Sequence, residues 1–132
     1  MDSSIDIALR AVDKGCFVDG QMQFAAMVDG QLVGCVDLYN YDPIHRRAEV
    51  GIVVKSGWRR KGCATAMLLA LESLCRNSLH LHQLYCDVVA SNGVSVHLFE
   101  RCGYRRVGCM YEWVQVGEAY GDVYRFQKIL ES

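Results

Sequence analysis

Apolar residues recur along this chain at two spacings. Ala48, Val50, Ile52 and Val54 fall at alternate positions within Arg46 to Val54, which predicts a strand with one buried face. Ala64, Met67, Leu68, Leu71, Leu74 and Cys75 fall three and four apart, which predicts a long helix starting near Gly62. Gln23 to Val28 and Gln31 to Tyr39 flank Asp29-Gly30, a dipeptide suited to the primed turns that match strand twist, and so predict a hairpin. Gln83 to Val89 reads as a strand and Ser91-Asn92 as a turn and cap. Val94, Leu98 and Cys102 mark a shorter helix closed by Gly103. Arg106 to Val116 and Asp122 to Leu130 predict a last hairpin around Gly117-Glu-Ala-Tyr-Gly121. At the start, Ser3 or Ser4 as a cap, Ile5, Leu9 and Val12 on one face and Gly15 at the far end predict a short amphipathic helix. With no repeat and no linker, this order predicts one mixed α/β sheet domain over residues 1–132.

Composition narrows the class. A chain of 132 residues, 52% hydrophobic and 22% charged, is too apolar for disorder and has one domain's worth of core. The net charge of −1 gives no electrostatic case for nucleic acid or an anionic membrane as partner. Charge is uneven: residues 1–50 carry eight acids and four bases, and residues 51–132 seven acids and ten bases. Apolar stretches such as Ala64 to Leu71 are too short to span a bilayer, and the start lacks the pattern of a signal peptide, so the expected location is cytoplasmic. Seven cysteines with no C-x-x-C spacing read as reduced, mostly buried residues. His45, His80, His82 and His97, with Cys86 near the His80-Leu-His82 pair, lack a matching second pair at ligand spacing, so no metal is expected.

The most informative segment is strand, then Arg59-Arg-Lys-Gly62-Cys-Ala64, then helix. Unpaired N–H groups at a helix start carry the positive end of the helix dipole, and small residues let phosphate oxygens come close. The loop is neither the P-loop G-x-x-x-x-G-K-S/T nor the dinucleotide fingerprint G-x-G-x-x-G. On these residues alone, Arg59, Arg60 and Lys61 are either a phosphate cradle or a solvated charge run beside an ordinary helix cap.

The loop in its context resembles the acetyl-coenzyme A site of the GNAT acetyltransferase superfamily, whose signature is Q/R-x-x-G-x-G/A. A second match, Asn92-Gly-Val-Ser95-Val-His-Leu-Phe99-Glu-Arg101-Cys-Gly103-Tyr104, resembles that superfamily's N-x-x-S/A-x-x-L/F-Y/F-E-K/R-x-G-F/Y. Ile44 to Ile52 and the tail Trp113 to Phe126 look like the spermidine acetyltransferases and the ribosomal-protein N-terminal acetyltransferases. The resemblance covers residues 3–130 and implies the GNAT fold, an α/β (α+β) mixed central sheet flanked by helices. Family members usually carry a further strand and helix before the first helix read here, and that start is missing.

By the resemblance, the strand around Val50 to Val54, with Ile52 and Val53, offers backbone groups to the pantetheine and the acyl oxygen of acetyl-coenzyme A. The N–H groups of Arg59, Arg60, Lys61, Gly62, Cys63 and Ala64 hold the pyrophosphate. Asn92 bonds the pantetheine arm, and Ser95, Phe99 and Arg101 complete the cofactor-binding set. Glu49 sits where many relatives place a carboxylate that accepts the amine proton. By pattern alone Glu49 is either that base or a strand residue paired with Arg46 or Arg47. At Phe99 the sequence departs from the pattern, because many relatives have a tyrosine there to protonate the leaving sulfur; water is left for that role. His97 and Tyr104 are expected to be solvent-exposed and a core ring, respectively.

These readings predict an acetyl-coenzyme A-dependent N-acetyltransferase. Its expected acceptor is a polyamine such as spermidine, because Asp37, Asp42 and Glu49 cluster in the strands leading to the site. The alternatives are a protein α-amino group as acceptor, or a catalytically weak acyl-coenzyme A binding module. Tyr39, Tyr41, Tyr111, Trp113, Tyr120 and Tyr124 either wall an acceptor pocket or pack as strand aromatics. Without the preceding strand, Gln23 to Val28 is expected at an unprotected sheet edge, which predicts a homodimer or higher oligomer.

Overall fold

The computed structural model describes residues 5–12 and 15–130. The elements are β1 (Ala8–Ala11), β2 (Met22–Val28), β3 (Gln31–Asp42), β4 (Arg47–Val54), α1 (Cys63–Asn77), β5 (Gln83–Val89), α2 (Gly93–Arg101), β6 (Arg105–Val116) and β7 (Ala119–Ile129). Asp29 and Gly30 both take positive φ, 50° and 79°, as a primed turn between β2 and β3 requires. The strands form a 7-stranded sheet in the order β1-β2-β3-β4-β5-β7-β6. Every pairing is antiparallel except β4 with β5, which are joined through the crossover helix α1.

The first segment differs from expectation. Residues 8–11 form a strand, not part of a helix, with Leu9 opposite Ala26 and Ala11 opposite Phe24. The expected Ser3 or Ser4 cap lies outside the described residues. Ile5, Leu9 and Val12 fit a helical period, but Ile5, Ile7, Leu9 and Ala11 also alternate, and those four are the ones packed against the core. A segment that suits both periods is decided by its surroundings: the open edge of β2 supplies hydrogen-bond partners that a short, isolated helix lacks. The strand thought missing beside β2 is therefore filled by β1, and the sheet edges are β1 and β6.

Both helices pack against one face of the sheet. Met67, Leu68, Leu71 and Cys75 of α1 and Leu98 and Phe99 of α2 share a cluster with Phe24, Val36, Leu38, Ala48, Val50, Leu84 and Phe126. The alternate residues of the same strands face away from it. There, register aligns Tyr39, Glu49, Tyr85 and Gln127 in one row across β3, β4, β5 and β7, and Asp37 with Gly51 in the next row. This second face is polar and half-exposed along β3, β4 and β5. No helix among the described residues is long and apolar enough to cross a membrane.

Candidate active site

The one parallel pairing is short. β4 and β5 are paired at Arg47, Ala48 and Glu49 alone, against Gln83, Leu84 and Tyr85. Beyond that point β4 continues to Val54 beside β3, and β5 continues to Val89 beside β7. The two strands thus part in a V whose vertex holds Glu49 and Tyr85. Past the vertex, the β4 backbone on the β5 side has no strand partner among the described residues.

Both helices begin at the open end of this V, where β4 and β5 terminate. The N-cap of α1 is Gly62 at φ 82°, with no side-chain cap and no acid in the first turn. Arg60 also takes a positive φ of 62°, so the loop turns sharply through the left-handed region twice in three residues. Arg59 Nε donates to the carbonyl of Val54 at 3.1 Å, fastening the loop to the end of β4, while Arg59, Arg60 and Lys61 stay exposed. Lys61 Nζ lies 5.5 Å from the centroid of the Trp58 ring. A left-handed glycine, unclaimed first-turn donors and three cations form a place an anion fits. A Cβ at Gly62 would meet Ile5 Cδ1 alone, at 3.7 Å, so the helix mouth is open.

The start of α2 is different, because Asn92 caps it by accepting from Ser95 N–H at 3.2 Å. The Asn92 Nδ2 donors remain for a ligand. Ser95 is half-buried and His97 exposed. Arg101 lies at the far end of α2, roughly 13 Å along the helix from Asn92. Phe99 is buried at 3% exposure, edge-on to Tyr104 with centroids 5.0 Å apart and stacked on Phe126 at 6.3 Å. The structure therefore brings Ile52, Val53, Val54, the 59–64 loop, Asn92 and Ser95 to the open V, and leaves Phe99 in the core and Arg101 at the opposite helix end.

Glu49 points to the second face, because its neighbours Ala48 and Val50 are buried on the first. Its carboxylate accepts from Asn40 Nδ2 at 2.9 Å rather than being held by Arg47, which reaches Asp42 at 3.4 Å. Asn40 adopts φ 53° where the β3–β4 register shifts, and this irregularity turns its amide onto Glu49. No hydrophobic pattern announces such a bulge, so Asn40 was not legible as a site residue. Beside Glu49, the Tyr39 phenol is pushed above its ordinary pKa by burial and then by the charges of Glu49, Asp37 and Cys86. Burial also raises the Asp37 carboxyl, whose Oδ1 is shielded and lacks a hydrogen-bond partner. On the other side of the vertex, Asp87 is already engaged by Arg125 through bonds of 2.8 and 2.9 Å, and Arg125 stacks over Tyr85 at 4.9 Å. The carboxylates left to meet a cation at the vertex are Glu49 and Asp37.

Among the other candidates, Tyr41 stacks on Phe17 at 3.8 Å, Tyr124 lies under Arg106 at 4.3 Å, and Tyr111, Trp113 and Tyr120 are exposed on the β6–β7 hairpin. Tyr104 is a core ring. All seven cysteines are free, and Cys63, Cys75, Cys86 and Cys102 are buried. Among the described residues no three histidine, cysteine or acidic side chains come together as a metal site.

Comparison with known proteins places this arrangement. Residues 4–104 match the model of the acetyltransferase (GNAT) family. The spermidine N(1)-acetyltransferase of Vibrio cholerae serotype O1 is 34% identical over 101 residues, covering 76% of this chain and 58% of that relative, so the chain spans less than two thirds of the relative's length. A crystal structure of spermidine N-acetyltransferase from Vibrio cholerae in complex with CoA and spermine superposes with a TM-score of 0.81 at 28% identity, covering 85% of this chain and 67% of that one. A dodecameric structure of the Vibrio cholerae enzyme superposes at 0.80 and 28% identity, covering 85% and 66%.

Proposed function

Because this chain belongs to the acetyltransferase (GNAT) family, we propose that its 132 residues act as one domain that moves acetyl from acetyl-coenzyme A to a primary amine of a polyamine of the spermidine class. The observation that carries this reading is the V between β4 and β5, with two helix starts at its open end and Glu49 at its vertex. The similarity to a spermidine N(1)-acetyltransferase, and to a structure holding CoA and spermine, supports both the cosubstrate and the acceptor. A polycation also suits a vertex where Glu49 and Asp37 lie on one polar face.

In this reading the pyrophosphate sits on the N–H groups from Arg59 to Ala64, neutralised by Arg59, Arg60 and Lys61. The backbone groups of Ile52 to Val54 that face β5 lie along the pantetheine and polarise the thioester carbonyl. Asn92 Nδ2 bonds the pantetheine arm, with Ser95 beside it. Glu49 takes the proton that the amine loses as the carbon–nitrogen bond forms. Phe99 offers no proton, so the departing thiolate takes one from water. The expected place of action is the cytoplasm.

The test is calorimetric titration with acetyl-coenzyme A, followed by thiol release with spermidine, with a peptide bearing a free N-terminus, and with no acceptor. Thiol release that depends on spermidine is the expected result. Release with the peptide alone moves the assignment to protein N-termini. Binding without release leaves an acyl-coenzyme A binding module, and absence of binding overturns the reading.

A further inference from the structure

Tyr39 stands opposite Glu49 in the β3–β4 register, but its ring leans along β4 to the next residue on that face, Gly51. A Cβ built on Gly51 would lie 2.9 Å from Tyr39 Cε1 and Cζ and nearer still to the hydroxyl. The phenol therefore occupies the space a side chain at 51 would take. Glu49, Gly51 and Val53 follow one another on the same face of β4, so the phenolic oxygen lies between the Glu49 position and Val53. Asp37, the register partner of Gly51, flanks it on β3. Among the described residues nothing hydrogen-bonds the Tyr39 hydroxyl, and Glu49 is held from the other side by Asn40. With its pKa raised by burial and by the neighbouring carboxylates, the phenol stays neutral and can accept and donate a proton at once.

We propose that Tyr39 is a catalytic residue whose hydroxyl carries the proton of the attacking amine to Glu49. This rests on the proposed function, which lays the pantetheine and thioester along β4 at Ile52 to Val54. The amine nitrogen bonds to the thioester carbon. Its proton passes to Tyr39 Oη as the phenolic proton passes through a bridging water to the Glu49 carboxylate. The carbon–sulfur bond then breaks as the carbonyl re-forms, and the thiolate leaves with the electron pair and takes a proton from water. Glu49 returns its proton to solvent, which balances the cycle.

Tyr39→Phe keeps the ring over Gly51 and removes the hydroxyl alone. The expected result is a kcat at least tenfold lower with spermidine, while the acetyl-coenzyme A Kd and the melting temperature hold. If the two groups form one relay, the Tyr39→Phe/Glu49→Gln double variant is no slower than Glu49→Gln. Gly51→Ala, which forces the phenol aside, should reproduce the kcat loss of Tyr39→Phe. A Tyr39→Phe kcat within threefold of wild type, or losses that multiply in the double variant, overturns the proposal while leaving the acetyltransferase reading intact. Wild-type protein that binds no acetyl-coenzyme A, or turns over no amine, overturns both.

Discussion

A single hydroxyl separates Phe99 from the tyrosine of its motif, and the packing around the ring states what adding it would do. Phe99 is enclosed by Tyr104 and Phe126, so the oxygen of Phe99→Tyr would be buried without a partner, at a cost of about 1–3 kcal/mol. The expected outcome is a melting temperature several degrees lower and no rise in kcat; a faster enzyme of unchanged stability would restore a proton-donating role to this position. Glu49 is placed oppositely, half-exposed on the polar face, and the role proposed for it lies in the reaction step. Glu49→Gln should lower kcat by about 10²–10⁴-fold and leave acetyl-coenzyme A affinity nearly intact, as steady-state kinetics beside calorimetry will show. At Gly62 the backbone itself decides. A β-branched residue at φ 82° is strained by about 1–3 kcal/mol and projects into the helix mouth. Gly62→Val is expected to weaken acetyl-coenzyme A binding by at least tenfold in the same titration, and undiminished affinity would remove the loop from the phosphate site.

Between elements, Lys128 of β7 is the principal polar joint. Its ammonium reaches Glu72 of α1 and the carbonyl of Cys102 at the end of α2, 2.6 Å away, and lies 5.9 Å from the Tyr104 ring. Burial alone would raise the Glu72 carboxyl, but hydrogen bonds from Lys128 and Arg76 hold it below its ordinary 4.5. A carboxyl lowered on folding stabilises fully above its unfolded value and loses that contribution as pH falls through the folded one. Melting temperature should therefore drop with acid below about pH 4.5, and Glu72→Gln should flatten that part of the profile while lowering stability at pH 7. How legible these elements were depended on whether their signals were local. The α1 stripe from Ala64 to Cys75 and the Asp29-Gly30 turn carry their geometry in a few adjacent residues, and both formed where expected. Residues 8–11 satisfied two periods, and the open edge of β2, not their own propensity, chose the strand. The candidate site divides in the same way. The 59–64 loop is contiguous and readable, whereas the meeting of Tyr39 with Gly51, and of Asn40 with Glu49, depends on a register across two strands and on a shift in it.

For the molecule as a whole, charge and edges bear on association. The sheet ends in β1 and β6, and the hairpin beside the second edge exposes Tyr111, Trp113 and Tyr120 at 76%, 65% and 60%. Unpaired edges and exposed aromatics favour contact with a second copy. Light scattering at micromolar concentration should give a mass above 14.8 kDa that falls on dilution, and a constant 14.8 kDa would refute self-association. The short parallel pairing has a consequence of another kind. To either side of it the strands form antiparallel sets, β1 to β4 and β5 with β7 and β6, and the two sets pair as strands across Arg47 to Glu49, with the Arg46 carbonyl accepting from His82 and Gln83 N–H just before them. The rest of their attachment is the Arg46 guanidinium on the His80 carbonyl, 3.1 Å away, and the side-chain packing under α1 and α2. A molecule lying in the V would touch both sets, so its binding energy becomes cohesion between two half-sheets. By linkage, saturation at a hundred times Kd adds about 2.7 kcal/mol. Amide exchange along Val50 to Val54 and Cys86 to Val89 should then slow together when coenzyme A is added, making the cooperativity of unfolding itself a property that the cosubstrate tunes.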